Sequence, residues 1–209
     1  MKRERPKEYP DLIRRLVTTS ILMTLALTVL CGGIYPLVIT GLAQLFFHDQ
    51  ANGSLITVNG RVVGSSLIGQ GFTKPQYFHG RASATVDASG KPLPYNAANS
   101  GGTNQGPTNK TLLANTVALA AQIRKEDGLP PNYELPSDAV SSSASGLDSD
   151  ISPAYADLQV ARVARERGLS QDTVRSLVAR YTSGRDLGVF GSPRVNVLRL
   201  NLALDATKK

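Results

Sequence analysis

The feature that most constrains this 209-residue chain is an uncharged, largely apolar stretch at residues 16–47. An α-helix needs roughly 20 apolar residues to cross a bilayer core of about 30 Å, so this stretch is more than long enough. A secretory signal has a shorter apolar core, of about 7–15 residues, followed by a small-residue cleavage site, and this stretch has no such site. Its apolar residues are also nearly continuous, whereas a helix on the surface of a soluble core is apolar on one face. The sequence therefore predicts one transmembrane helix over about residues 16–38, which residues 39–47 extend to the membrane surface.

The charges on either side of this stretch predict its orientation. Residues 1–15 contain three acidic side chains and the following six basic ones: Lys2, Arg3, Arg5, Lys7, Arg14 and Arg15. The far side opens with His48 and Asp49. Lys and Arg near a transmembrane helix accumulate on the cytoplasmic side. We therefore expect residues 1–15 to be a cytoplasmic tail and residues 48–209 to form an extracytoplasmic (periplasmic) domain.

Two other classes of protein are disfavoured by composition. The single cysteine, Cys31, lies inside the apolar stretch, so neither a disulfide within the chain nor a cysteine-based zinc site is expected. The net charge of +7 would suit a nucleic-acid partner. However, the basic residues are scattered, and aromatic side chains do not alternate with them as in single-strand binders. We expect no nucleic-acid partner, and the membrane explains the basic residues near the N-terminus.

The residues beyond the anchor predict a small α+β domain. Asn59-Gly60 lies between two β-branched segments, which is a strong signal for a hairpin. Alternating apolar residues at 195–204 predict a final strand that joins the sheet of the hairpin. Three helices are predicted from capping signals: from Thr108 or Asn109 to Gly128, from Ser152 to Gly168, and from Ser170 to near Gly184.

Catalytic side chains do not group at recognisable spacings. The two histidines, His48 and His79, are far apart, and the spacings of a catalytic triad or metal site are missing. Asp148 and Asp150 are candidate cation ligands, but Asp157 is the nearest further carboxylate and does not complete an oxygen cage. The other interpretation of this acidic pair is a favourable charge at the N-terminus of the next helix. We expect a protein that is not an enzyme.

Six segments, in this order after one N-terminal membrane helix, carry a family resemblance. They are GSSLIGQ (64–70), YFHGRASA (77–84), SGGTNQGPTN (100–109), SASGLD (143–148), QVARVA (159–164) and PRVNVLRLN (193–201). Together they resemble the C subunit of the bacterial Kdp potassium-transporting ATPase over nearly the whole chain. The family pattern has Pro at Ala82, Ser at Thr103, Leu at Gln105 and Pro at Ser149, and these departures change neither the anchor nor the order of the segments.

The resemblance implies a non-catalytic subunit of a complex in the bacterial cytoplasmic (inner) membrane. Its partners would be a channel-like potassium-binding subunit, a P-type ATPase subunit and a very small membrane peptide. The C subunit of this family is described as an assembly factor and as a catalytic chaperone that raises the ATP affinity of the ATPase subunit. The alternative is an ion-binding or entrance-shaping module at the outer mouth of the channel subunit. No covalently bound cofactor is expected, and any contact of this chain with ATP would occur within the complex.

The resemblance also implies candidate nucleotide-binding residues. A stretch likened to the ABC-transporter signature includes a glutamine, which matches Gln159 here, after Ser145, Gly146, Leu147 and Asp148. The residues themselves favour a different role. Gln159 lies beside the apolar positions of its helix, where a buried amide commonly bonds to a loop. The charge rule also places Gln159 outside, away from cytoplasmic ATP.

Overall fold

A computed structural model describes residues 9–207 and divides the chain into two units, residues 1–54 and 55–209. Residues 1–8 of the predicted cytoplasmic tail lie outside the described residues. In the first unit, helix α1 (Tyr9–Val29), a π-helical segment (Leu30–Ile34) and helix α2 (Tyr35–Phe46) follow without a break. The resulting helix has 38 residues and contains an 18-residue window with a mean hydropathy of 2.1, so its length and composition suit a membrane span. A short helix, α3 (His48–Ala51), follows it.

The π-helical segment has a local cause in the sequence. Pro36 has no backbone N–H, and its ring crowds the carbonyl four residues earlier, which disfavours regular α-helix over the preceding turn. The backbone N–H of Tyr35 bonds to the carbonyl of Leu30, five residues back. A widened turn of this kind lets a helix pass a proline without breaking.

The second unit begins with the predicted hairpin, which is confirmed. Strands β1 (Leu55–Val58) and β2 (Arg61–Ser65) pair antiparallel around Asn59 and Gly60. Both turn residues have positive φ, 50° and 75°, which is the reason for this residue pair in a two-residue hairpin turn. The register shifts by one residue between Ile56 and Thr57, so the ladder contains a bulge.

The next elements are a 3₁₀ turn (Ala97–Asn99) and helices α4 (Lys110–Asp127), α5 (Ser137–Val140), α6 (Pro153–Arg167) and α7 (Gln171–Arg180). The predicted caps are confirmed for α4, α6 and α7, and they are respectively the side chains of Asn109, Ser152 and Ser170. Helices α4 and α6 end at Gly128 and Gly168, both left-handed, as predicted. The prediction that α7 continues to near Gly184 is wrong, because Thr182 and Ser183 leave the helix to form a strand.

The C-terminal part differs most from the sequence-based expectation. Strand β5 (Arg194–Asn196) is short and pairs antiparallel with β3 (Asp150–Ile151) and β4 (Thr182–Ser183). Helix α8 (Val197–Ala206) then begins, capped by the side chain of Asn196. The predicted strand over 195–204 is therefore wrong, and so is its pairing with the hairpin, which forms a separate sheet.

The physical reason is the spacing of the residues that α8 buries. Val197, Leu200, Asn201 and Leu204 are all at most 3 % exposed and follow the i, i+3, i+4, i+7 pattern of one helical face. The leucines at every second position suggested a strand, yet beyond Val197 the segment lacks the β-branched residues that favour one.

The core of the second unit surrounds helix α6. Val160 and Val163 of this helix are fully buried, as are Val174 of α7 and Leu200 and Leu204 of α8. The same cluster includes residues from every helix of the unit and two of its strands: Phe78, Ile123, Ala139, Ile151, Tyr155, Ala156, Leu158, Ala164, Val178, Val195 and Val197. The unit therefore has one aliphatic core, and α6 positions the polar residues described next.

Candidate functional site

The residues Ser145–Asp148 lie in the loop between α5 and β3 and are held by their own hydrogen bonds. The Ser145 hydroxyl donates to Asp148 (3.2 Å) and accepts from the Leu147 N–H (3.1 Å). The Ser143 hydroxyl accepts from the Gly146 N–H at 2.9 Å. Gly146 has a φ of +71°, and a Cβ there would lie 2.9 Å from the Gly101 carbonyl oxygen. The loop is tight and needs glycine at this position.

This loop also ties together segments that are distant in the sequence. The carbonyl of Ser145 accepts from the N–H of Gly101, that of Gly146 from the Ser83 hydroxyl, and that of Leu147 from the N–H of Gly69, at 2.8–2.9 Å. The loop is therefore a junction of the fold, and its backbone carbonyls are engaged in bonds within the protein.

Asp148 forms an ion pair with Arg81, whose Nη1 donates to the carboxylate at 2.6 Å. The second terminal nitrogen of Arg81 donates to the Ser141 hydroxyl and the Ser142 carbonyl. Both side chains are about a quarter to a third exposed. Arg81 thereby fixes the loop that contains Asp148 to the segment around residue 80, as expected of an arginine that donates several charge-assisted bonds.

Gln159 lies in the middle of α6 and is 1 % exposed. Its Oε1 accepts from the backbone N–H of His79 (2.7 Å) and from Arg162 (2.7 Å). Its Nε2 donates to the carbonyls of His79 (3.1 Å) and Tyr155 (3.3 Å). Both donors and both acceptor positions of this amide are thus accounted for within the protein.

Asn201 of α8 binds the neighbouring residue in the same way. Its Oδ1 accepts from the N–H of Phe78, and its Nδ2 donates to the carbonyl of Phe78, both at 2.9 Å. Two buried amides on different helices therefore satisfy the backbone of two consecutive residues, Phe78 and His79. We call Gln159 and Asn201 the amide pair. Phe78 and His79 lie in a loop that pairs with no strand within residues 9–207, and the amide pair supplies the backbone hydrogen bonds that a strand would otherwise make.

A buried ion pair completes this cluster. Arg162 donates from Nε to Asp127 at the end of α4 (2.8 Å), and the two side chains are only 2 % and 3 % exposed. Arg162 also donates to the carbonyls of Pro75 and Tyr77. Burial raises the pKa of the Asp127 carboxyl, and the nearby Arg162 guanidinium offsets part of this effect. The pair links α4, α6 and the loop at 75–79.

His79 is the residue of this cluster whose ordinary pKa, 6.5, is closest to neutral pH. Burial lowers the pKa of its imidazole, and the Arg162 charge lowers it further. The Lys74 carbonyl, Glu126 and Asp127 act in the opposite direction. An imidazole with a lowered pKa is favoured in its neutral form in the folded protein.

The stability of the fold is therefore expected to fall as the pH drops from the unfolded-state pKa of His79 towards its lower folded-state pKa. The unfolded imidazole binds a proton near pH 6.5, above the folded-state pKa, so the free energy of unfolding decreases as the pH falls from 6.5 to that lower value. Urea unfolding of the full chain in detergent at pH 7.5 and 5.5 measures this loss. H79N should lose less stability between the two pH values than wild type. Equal losses in H79N and wild type would contradict the expectation.

Asp148 and Asp150 are both occupied by contacts within the protein. Asp150 accepts from Asn196 at 2.8 Å and lies 3.6 Å from Arg194. Within residues 9–207, no three His, Cys, Asp or Glu side chains gather as a metal site would require. A third carboxylate, Asp138, accepts from Ser152, the cap of α6 (2.7 Å from N–H, 2.9 Å from Oγ), and the helix-terminal role of Asp148 and Asp150 stays a prediction.

Comparison with known proteins identifies the family. The family model described as "K+-transporting ATPase, c chain", KdpC, matches residues 17–206, which is nearly the whole chain. The chain belongs to the KdpC family. The resemblance noted in the sequence is thereby confirmed.

Three relatives show how closely the KdpC family pattern is followed. The potassium-transporting ATPase KdpC subunit of Koribacter versatilis is 51 % identical over 94 % of this chain and 97 % of its own length. That of Gemmatimonas aurantiaca is 56 % identical over 90 % of both chains, and that of Rhodopseudomonas palustris is 50 % identical over 92 % of this chain and 98 % of its own length.

The structure adds residues to this KdpC-family cluster that the sequence analysis did not propose as site residues. Arg162, Asp127 and Asn201 are buried and polar, and helical spacing is a sequence signal for Arg162 alone. Tyr155, Gln159 and Arg162 follow the i, i+4, i+7 spacing of one helical face, so they share the side that α6 buries.

Proposed function

We propose that this KdpC-family chain is an accessory, non-catalytic subunit of a bacterial potassium-importing ATPase. Family membership carries this proposal, together with a 38-residue helix that is apolar enough to span a membrane. The six basic residues among the first fifteen support a single-pass arrangement in the cytoplasmic (inner) membrane, with the N-terminus inside and residues 48–209 outside. The partners are a channel-like potassium-binding subunit, a P-type ATPase subunit and a small membrane peptide.

Within that complex, the chain supports assembly and raises the ATP affinity of the P-type subunit without binding ATP itself. The observation behind this choice is that the Gln159 side chain is buried and fully hydrogen-bonded within the protein. The side chain is buried and binds His79, Tyr155 and Arg162, so a nucleotide would have to replace bonds that hold the core. Direct binding of ATP at residues 145–148 and Gln159 is the competing hypothesis. The difference between them is measurable.

The first experiment purifies the complex through a tag at the C-terminus of this chain, co-expressed with its three partners. We expect recovery of all partners with potassium-stimulated ATPase activity. A variant that lacks residues 1–47 should fail to recover them, because the membrane helix is removed, and complex purified through another subunit without this chain should show a higher KM for ATP. Full assembly of the truncated variant would contradict the role of the helix.

The same proteins separate the indirect from the direct effect on ATP affinity. Calorimetry of the isolated full chain with a non-hydrolysable ATP analogue should show no saturable heat. Saturable binding that is lost in S145A, provided that the far-UV circular dichroism of this variant matches wild type, would favour direct binding. An unchanged KM for ATP in the complex without this chain would overturn the chaperone proposal altogether.

A further inference from the structure

A short hairpin between β4 and β5 exposes three large apolar side chains at its tip. Leu187 is 90 % exposed, Val189 66 % and Phe190 64 %. Other exposed apolar residues of the described folded unit, such as Val62 and Leu67, do not form a comparable run of three within four residues. Isolated exposed apolar residues are ordinary, whereas a contiguous group on a projecting loop marks an interaction site. We call residues 186–190 the apolar tip.

The apolar tip is held rigidly in this exposed form. Asp186 and Phe190 exchange two backbone hydrogen bonds of 2.9 Å across its base. Arg194 of β5 donates to both carboxylate oxygens of Asp186, at 3.1 and 3.2 Å. Leu187 has a φ of +52°, a left-handed conformation that is rare for a branched side chain. The hairpin thus maintains an unfavourable backbone conformation together with unfavourable exposure, which is characteristic of a preorganised contact loop.

The charge beside the tip restricts what it contacts. Arg185 precedes the tip and forms no ion pair within the described residues, in contrast to Arg194, which is paired with Asp150 and Asp186. Apolar side chains next to an unpaired basic one match the boundary between lipid chains and headgroup phosphates. A phospholipid surface satisfies both parts of the tip at once.

The size of the tip also favours lipid over a protein partner. A stable protein interface buries about 800 Å² on each partner, far more than three side chains provide. A loop that enters a lipid surface needs little area when the chain is already anchored, because the anchor supplies a high local concentration. Only residues 47–54 separate the end of the apolar helix from the folded unit. A membrane crossed by that helix is therefore within a short chain length of the folded unit.

We propose that the apolar tip inserts Leu187, Val189 and Phe190 into the phospholipid surface of the membrane that anchors the chain, with Arg185 at the headgroup phosphates. This inference rests on the proposed membrane anchor. The tip is then a second membrane contact of the chain.

The chain contains no tryptophan, so a single introduced tryptophan reports the tip without background. The full-length F190W variant is reconstituted without partners into vesicles of phosphatidylethanolamine and phosphatidylglycerol, with and without brominated acyl chains. Brominated lipid is expected to quench its emission about threefold, with reduced quenching by aqueous iodide. The matched control V117W, 70 % exposed in wild type on α4, should show the reverse pattern.

Emission from F190W that resembles V117W, open to iodide and insensitive to bromine, would overturn the proposal. Shielding from iodide that appears only after assembly with the other ATPase subunits would overturn it in favour of a protein contact. Failure of the anchor itself is distinguishable, because a chain without a membrane helix is released from the vesicles by alkaline carbonate, whatever its fluorescence.

Discussion

Replacing Arg162 by leucine is expected to lower the free energy of unfolding by about 3–5 kcal/mol, the usual cost of removing one partner of a buried ion pair. The change leaves the Asp127 carboxylate buried without its partner and frees the carbonyls of Pro75 and Tyr77. Gln159 also loses a donor to its oxygen. Chemical denaturation of the full chain in detergent, followed by far-UV circular dichroism, measures the loss.

The matched control is R165L, one turn along the same helix, where the side chain is 61 % exposed and forms an ion pair with Glu166. It should change the stability by less than about 1 kcal/mol, as is typical of surface ion pairs. The double variant D127L/R162L should be more stable than R162L alone, since no charge is left unpaired. If R162L were as stable as R165L, the buried pair would not be a stabilising element of this fold.

Shortening Leu200 to alanine is expected to cost about 2–5 kcal/mol, because the side chain is fully buried between α8 and the rest of the core. The range reflects how far other members of the same core cluster, such as Val163 and Val174, relax into the space that the change leaves. The same denaturation experiment measures this loss.

The control for Leu200 is L113A on α4, which makes the same chemical change at a helical position that is 54 % exposed. Helix propensity favours alanine slightly at both positions, so the difference between the two variants isolates burial. A similar stability for L200A and L113A would mean that α8 does not pack on the core as described.

The elements that the sequence predicted correctly are those whose signals are local. The hairpin depends on two turn residues, Asn59 and Gly60, that accept positive φ. Helices α4 and α6 begin and end where caps and glycines occur within a few residues of the boundary. The long apolar helix depends on the composition of one continuous stretch.

The C-terminal helix shows where such reasoning reaches its limit. Residues 195–204 contain alternating leucines and also a helical i, i+3, i+4, i+7 pattern, so period alone did not decide between strand and helix. The tertiary structure decides because α8 packs against α7, because Leu200 and Leu204 are fully buried, and because Asn201 reaches the backbone of Phe78. That contact spans 123 residues and has no local signature.

The sequence by itself therefore determined the membrane-type helix, the hairpin turn and the helix boundaries of the folded unit. Through the order of its motifs, it also determined the KdpC family. The sequence also favoured a buried structural role for Gln159, but only the tertiary structure decided which partners the charged and amide side chains bind. Gln159, Arg162 and Asp127 are polar residues that a motif could assign to a ligand. Folding brings them to buried positions where each must find a partner within the protein, since an unpaired polar group in the core is costly.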